Sequence, residues 1–176
     1  MRNKTTALLV VIALAFVAFL ARDARTAATL TAQDYAEIHQ LYARYNYGVD
    51  AQADDGWLYA RAFTEDGEFD WGPPEPTRGR DALRELARPG GTWDQDAGGQ
   101  RRPWHVPTNI LIEPTADGAR GTAYLLLVNG AEAGGPVITG RGVYTDELVR
   151  TAEGWLFKKR AYHPGDFPAD LQLTAQ

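Results

Sequence analysis

The chain has no cysteine in its 176 residues. Disulfides, thiolate metal centres, a cysteine nucleophile and a lipidated N-terminal cysteine are thereby excluded. Histidine is scarce as well. Only His39, His105 and His163 occur, and none stand at H-x-H or H-E-x-x-H spacing, so no metal site is expected. An excess of basic charge is also lacking. Eighteen Lys and Arg face 23 Asp and Glu, giving a net charge of −5 and a pI of about 5.2. A nucleic-acid partner would call for a basic patch or stripe, so none is expected. There is no internal repeat and no low-complexity block. What remains is a chain that is 44% hydrophobic and 11% aromatic, enough to bury the core of one domain.

The first 28 residues read as a targeting segment rather than as part of that domain. Arg2 and Lys4 precede an uncharged apolar run, Ala7 to Ala21, which Arg22 and Asp23 stop. A basic start followed by a run of this length is a signal-peptide pattern. The run falls short of the roughly 20 residues of a membrane span. Thr26 and Ala28 supply the small-residue pair, so cleavage after Ala28 is expected, with a retained N-terminal anchor as the alternative. The domain division is 1–28 and 29–176. Losing four positive charges and one negative takes the net charge to −8. The expected product is an acidic exported domain, periplasmic or secreted, that meets a membrane only through the N-terminal segment.

Leu30 to Val49 carries apolar residues at helical spacing: Ile38, Leu41, Tyr42, Tyr45 and Val49. Thr31 can cap this helix, with Asp34 three residues on. A second short helix is predicted at roughly 55–63, capped by Asp54 or Asp55. Gly67 to Trp71 alternates like a strand, the prolines at 73, 74 and 76 break it, and Asp81 to Ala87 is a third helix. Residues 88–103 form a long loop, either a binding loop or a surface insertion. Four strand-like runs follow, 104–112, 119–129, 136–150 and 154–163, separated by turns at Asp117-Gly118, Gly134-Gly135-Pro136 and Glu153-Gly154. Short turns imply an antiparallel meander. Helices first and a sheet second give an α+β fold. A bent sheet wrapped around helices leaves a cavity, the default ligand site.

Alternation on the first long strand puts His105, Pro107, Asn109 and Leu111 on one face, and Trp104, Val106, Thr108, Ile110 and Ile112 on the other. If His105 faces the cavity, Asn109 is expected there too. Glu65, Asp66, Glu68 and Asp70 cluster around a turn and a strand, where solvation is the expected role.

The order of elements resembles the cone-shaped nuclear transport factor 2-like fold, and in particular its SnoaL-like branch. That branch includes scytalone dehydratase, bile-acid dehydratase and hexachlorocyclohexane dehydrochlorinase. The carrying residues are Tyr45-Asn46-Tyr47-Gly48-Val49-Asp50, then Phe63-Thr64-Glu65-Asp66-Gly67-Glu68-Phe69, then Arg78-Gly79-Arg80-Asp81-Ala82-Leu83, His105 with Asn109, and Gly154-Trp155-Leu156-Phe157. The similarity spans about residues 30–163. It implies helices packed on a strongly curved antiparallel sheet that encloses a pocket. It further implies that Asp50 and His105 match an aspartate–histidine pair of the family's eliminating enzymes. A neutral imidazole is the natural general base at neutral pH, and a carboxylate on its other nitrogen fixes the tautomer.

The resulting expectation is a lyase without cofactor or metal, catalysing dehydration or a related elimination. The substrate would be a small, largely apolar carbonyl-containing or cyclic molecule. His105 would be the base, Asp50 its orienter, and Tyr45 or Tyr47 the acid-side hydrogen-bond donor. Asn109, Trp71, Phe69, Trp57 and Arg160 are candidate substrate contacts. Isomerisation by the same base is the adjacent chemistry. The rival readings are a non-catalytic exported ligand-binding or assembly domain, and a partner subunit of a larger oxygenase. A homodimer through the outer face of the sheet is expected, with Trp104, Val106, Ile110 and Ile112 as its apolar area.

Overall fold

The computed structural model describes residues 29–97, 102–131, 134–169 and 171. The targeting segment expected at 1–28 and residues 98–101 of the long loop lie outside the described residues. Among the described residues, no helix is long and apolar enough to cross a membrane.

Helix α1 (Ala32–Ala51) starts at a reciprocal cap. The Asp34 backbone N–H donates to the Thr31 hydroxyl (3.2 Å), while the Thr31 N–H donates to the Asp34 carboxylate (2.8 Å). The other Asp34 oxygen accepts from the Trp155 indole at 3.0 Å and from Arg150, tying the helix start to the far end of the sheet. Ile38, Leu41, Tyr42, Tyr45 and Val49 are all buried, as their spacing predicts. At Gly48 the helix presses on its neighbour so closely that a Cβ would stand 2.5 Å from the Tyr59 nitrogen.

The predicted second helix is shorter than expected. A 3-10 turn (Ala53–Gly56) leads into α2 (Trp57–Ala60), and Phe63 already opens the first strand. Neither Asp54 nor Asp55 caps α2. Both take left-handed backbone angles (φ 53°) and turn their carboxylates to Arg61 and Arg84. Next come β1 (Phe63–Asp70), β2 (Thr77–Arg78), α3 (Arg80–Ala87) and a short α4 (Thr92–Asp96) inside the predicted loop. Strands β3 (Trp104–Pro114), β4 (Ala119–Ala131), β5 (Gly135–Thr151) and β6 (Gly154–Pro164) complete the chain. The architecture is α+β, with helices packed on a curved six-stranded sheet.

The sheet order is β2-β1-β6-β5-β4-β3. Strands β3 to β6 form the predicted antiparallel meander. Strand β1 joins β6 in parallel, which makes the sheet mixed. Paired positions share a face, so Phe69, Arg160, Asp146, Tyr144 and Tyr162 look inward, toward α1. Around Tyr45 the core is aromatic: Tyr59, Phe63, Phe157 and Tyr144 have ring centroids within 6.0 Å.

The expected alternation on β3 fails at one residue. Asn109 has φ 52°, and the β3–β4 register breaks between Thr108 and Leu111. This β-bulge flips the faces beyond it. Asn109 and Leu111 become exposed, while Ile112 is buried and Ile110 packs against the core. Asn109 therefore does not join His105 at a cavity, and Ile110 and Ile112 are not part of an outer apolar face. Asparagine is one of the few residues that takes a left-handed angle cheaply.

Candidate active site

Asp50 lies in the last turn of α1, and His105 is the second residue of β3. Their side chains meet: His105 Nδ1 is 2.7 Å from Asp50 Oδ1. The His105 backbone N–H also donates to the same carboxylate, at 3.0 and 3.2 Å. One carboxylate thus fixes both the start of the strand and its imidazole. The contact assigns the proton to Nδ1, which leaves Nε2 as the acceptor. Both side chains are about four-fifths buried.

His105 opens onto a pocket of about 410 Å³. Its walls are apolar: Phe69, Trp71, Trp93, Leu125, Leu127 and Tyr162. Its polar points are Tyr45, Tyr144, Arg102, Asp96, Asn129 and Thr139. Trp93 of α4 holds the aromatic wall together, edge-on to Phe69, Trp71 and Tyr59. The long loop is therefore part of the site: Trp93, Asp96, Ala97, Arg102 and Pro103 all come from it.

Tyr45, expected on the acid side, does line this pocket, next to Tyr144. Burial pushes the Tyr45 hydroxyl up, with the Arg160 charge pulling against it. Burial likewise pushes Tyr144 and Tyr59 well up. Tyr45 is thus a neutral phenol at physiological pH, able to donate a hydrogen bond and unable to serve as a base.

Three other expected contacts are placed elsewhere. Tyr47 is 70% exposed on the outer side of α1. Trp57 stacks under the guanidinium groups of Arg61 and Arg84, away from the pocket. Arg160 is fully buried beneath the pocket floor, and its Nε and Nη2 each donate to Asp146 at 2.7 Å. Its guanidinium lies over Tyr45 and Tyr144 at 4.2 Å and Phe157 at 3.9 Å, while Tyr42 donates to the same Asp146. A buried cation needs this pairing, and although Nη1 has no partner among the described residues, Arg160 does not line the pocket. Of the remaining histidines, His39 is exposed and His163 meets the Thr145 hydroxyl at 2.9 Å. Three of the four residues of the acidic cluster form ion pairs, Glu65 with Arg80, Asp66 with Lys158, and Glu68 with Arg78 and Lys159, while Asp70 accepts from the Gly72 N–H at 3.1 Å.

The profile of the SnoaL-like domain matches residues 30–161. The chain belongs to the SnoaL-like family. This SnoaL-like protein is 31% identical to a Mycobacterium tuberculosis protein of unknown function, over 78% of this chain and 75% of that one, with a TM-score of 0.61. Two structures from Novosphingobium aromaticivorans share the fold. One is a nuclear transport factor 2-like protein with a cystatin-like fold (18% identity, 96% and 94% coverage, TM-score 0.66). The other is a scytalone dehydratase candidate (23% identity, 81% and 90% coverage, TM-score 0.57). No curated protein matches. The family includes dehydratases and isomerases, so enzymes are among its members.

Sequence reasoning missed Asn129, Trp93 and Arg102. Asn129 was legible, since it continues the inward row Leu125, Leu127 on β4. Trp93 and Arg102 carried no local signal, because the loop that presents them is positioned only by the rest of the fold.

Proposed function

We propose that this SnoaL-like protein is a cofactor-independent lyase that eliminates water, or a comparable leaving group, from a small and largely apolar carbonyl compound. The observation that carries the reading is the 2.7 Å contact between Asp50 and His105 at the wall of an apolar pocket. In the proposed step, His105 Nε2 takes a proton from the carbon next to the carbonyl. Asp50 steadies the imidazolium that forms. The C–H electron pair delocalises into the carbonyl as an enolate and then forms the new double bond as hydroxide departs. The proton held on Nε2 passes to that hydroxide, so water leaves and the resting imidazole is restored. Tyr45 donates a hydrogen bond to the oxygen that gains charge. The aromatic walls favour a flat or cyclic body. The same base can return its proton to a different carbon, which is the isomerase variant of this reading.

A homodimer and export through residues 1–28 belong to the same proposal. The first is supported by the exposed apolar face of the sheet, the second by the basic-then-apolar start of the chain.

The test is a panel of β-hydroxy ketones and β-hydroxy thioesters, followed by absorbance of the conjugated product. His105→Ala is expected to abolish turnover while circular dichroism stays that of the wild type. Undiminished turnover in a folded His105→Ala protein would falsify the mechanism and leave the ligand-binding domain as the better reading.

A further inference from the structure

Among the described residues that line the pocket, Arg102 is the one guanidinium, and the chemistry above does not use it. It lies two residues before β3, with its side chain only 16% exposed. Its Nη2 donates to the Val49 carbonyl at 2.9 Å. Its Nε lies 3.1 Å from Asp94 Oδ1. Its Nη1 is buried and has no partner among the described residues.

The holders of this guanidinium are themselves held. The other Asp94 oxygen accepts from the Gln52 side chain and from the Gly90 N–H, both at 2.8 Å. These bonds, with Arg102 adding, keep the Asp94 carboxyl below its usual range. Gln52 is the left-handed C-cap of α1 (φ 49°). Everything therefore hangs from one turn. The Val49 carbonyl holds Arg102, and the carboxylate of the next residue, Asp50, holds His105. A guanidinium has five N–H donors and no acceptor, so the buried Nη1 calls for an acceptor that the described residues do not supply.

We infer that Arg102 receives a carbonyl or carboxylate oxygen of the ligand, whose apolar body rests against the tryptophan wall of the pocket. The catalytic half of this inference rests on the lyase reading. When His105 removes the proton next to the carbonyl, the electron pair of that C–H bond moves onto the carbonyl oxygen. Arg102 holds the resulting oxyanion, and the pair returns as the leaving group departs. The substrate class is then molecules bearing such an oxygen, not plain hydrocarbons or halocarbons. Asp96, exposed at the same pocket, disfavours a second negative charge on the ligand.

Three probes of matched size test this by titration calorimetry on the intact protein: 2-acetonaphthone, 2-naphthoate and 2-methylnaphthalene. A charge-assisted hydrogen bond predicts that the two oxygen-bearing probes bind the wild type about tenfold tighter than the hydrocarbon. Arg102→Met should erase that preference and leave the hydrocarbon affinity within about twofold. His105→Ala should keep the preference, so loss of turnover and loss of selectivity are separate readouts. If Arg102→Met fails to fold, Arg102→Lys and the shift of the wild-type guanidinium NMR signals on adding 2-naphthoate replace it. Lysine should weaken the preference and the signals should move. A preference unchanged in a folded Arg102 variant, or guanidinium signals that do not respond, overturns the assignment alone. Failure of all three probes to bind the wild type overturns both it and the apolar-pocket reading.

Discussion

Asp50 spends its whole carboxylate on one residue, accepting from both the backbone N–H and the ring of His105. The one carboxylate thus anchors a strand and sets an imidazole tautomer at once. Asparagine keeps one acceptor oxygen, but it replaces the other with an N–H₂ aimed at a donor and carries no charge to steady an imidazolium. Asp50→Asn is therefore expected to cost about 10³- to 10⁴-fold in kcat, by analogy with triads of the same logic, with little change in KM. Rapid-quench turnover on a responsive substrate, alongside circular dichroism, measures it. A kcat within tenfold of wild type would mean that Asp50 only fastens the strand. Arg160 teaches the complementary lesson. Its position facing inward on β6 is compatible with a ligand contact, yet two of its nitrogens go to Asp146 and aromatic rings enclose the guanidinium.

At the scale of elements, α1 does most of the organising. Its start is tied to β5 and β6 through Asp34, and its end holds both His105 and Arg102. Hydrogen bonds from Thr31 and Trp155, with Arg150 adding charge, lower the Asp34 carboxyl from its usual 3.8 to about 2. A lowered folded-state value means that the stabilisation is fully present above about pH 4. It drains away as pH falls from there toward 2. Asp34→Ala should lower Tm at pH 6 and narrow its gap to wild type as the pH approaches 2.5, as read by melting at stepped pH. A constant gap would mean that the charge of Asp34 contributes nothing. Gly48 gives a second check on the same helix. Helix propensity alone favours alanine there by about 1 kcal/mol. The close approach of the Tyr59 backbone reverses the sign, since the added Cβ would stand 2.5 Å from its nitrogen. Urea unfolding should show Gly48→Ala less stable by about 1–3 kcal/mol. A stabilised variant would show that the two helices separate easily.

For the whole molecule, the outer face of the sheet carries the dimer proposal. Cross-strand pairing puts Trp104, Val106, Leu111, Tyr124 and Ile138 on that face. Each is between 40% and 63% exposed. Tyr124 also meets Phe167 edge-on at 5.5 Å. Exposed apolar surface gathered on one face marks an interaction site more often than chance scatter. The expected outcome is a dimer by light scattering at micromolar concentration. Trp104→Asp combined with Ile138→Asp should yield a folded monomer, because charge placed in an apolar interface loses its hydration without gaining a partner. A wild-type monomer at that concentration removes the dimer proposal and leaves the pocket chemistry untouched.

Much of this protein was written in local pattern. The buried stripe of α1, its Thr31–Asp34 cap and the four strands of the meander all follow from spacing and turn residues, which depend on neighbours in sequence. The resemblance of the Tyr45 to Asp50 segment, together with His105, was enough to name the pair that the fold then brings to 2.7 Å. Only the tertiary structure decided the rest. A bulge at Asn109, where the β3–β4 register breaks, reversed the faces of half a strand. The parallel pairing of β1 with β6 joins segments some ninety residues apart, a contact that no local periodicity encodes. Arg160 left the candidate site because a fully desolvated cation is held by whichever carboxylate and rings surround it. Arg102 entered because the end of α1 offers its nitrogen a carbonyl. Such choices are made by long-range packing and burial, which act between residues that the sequence keeps apart.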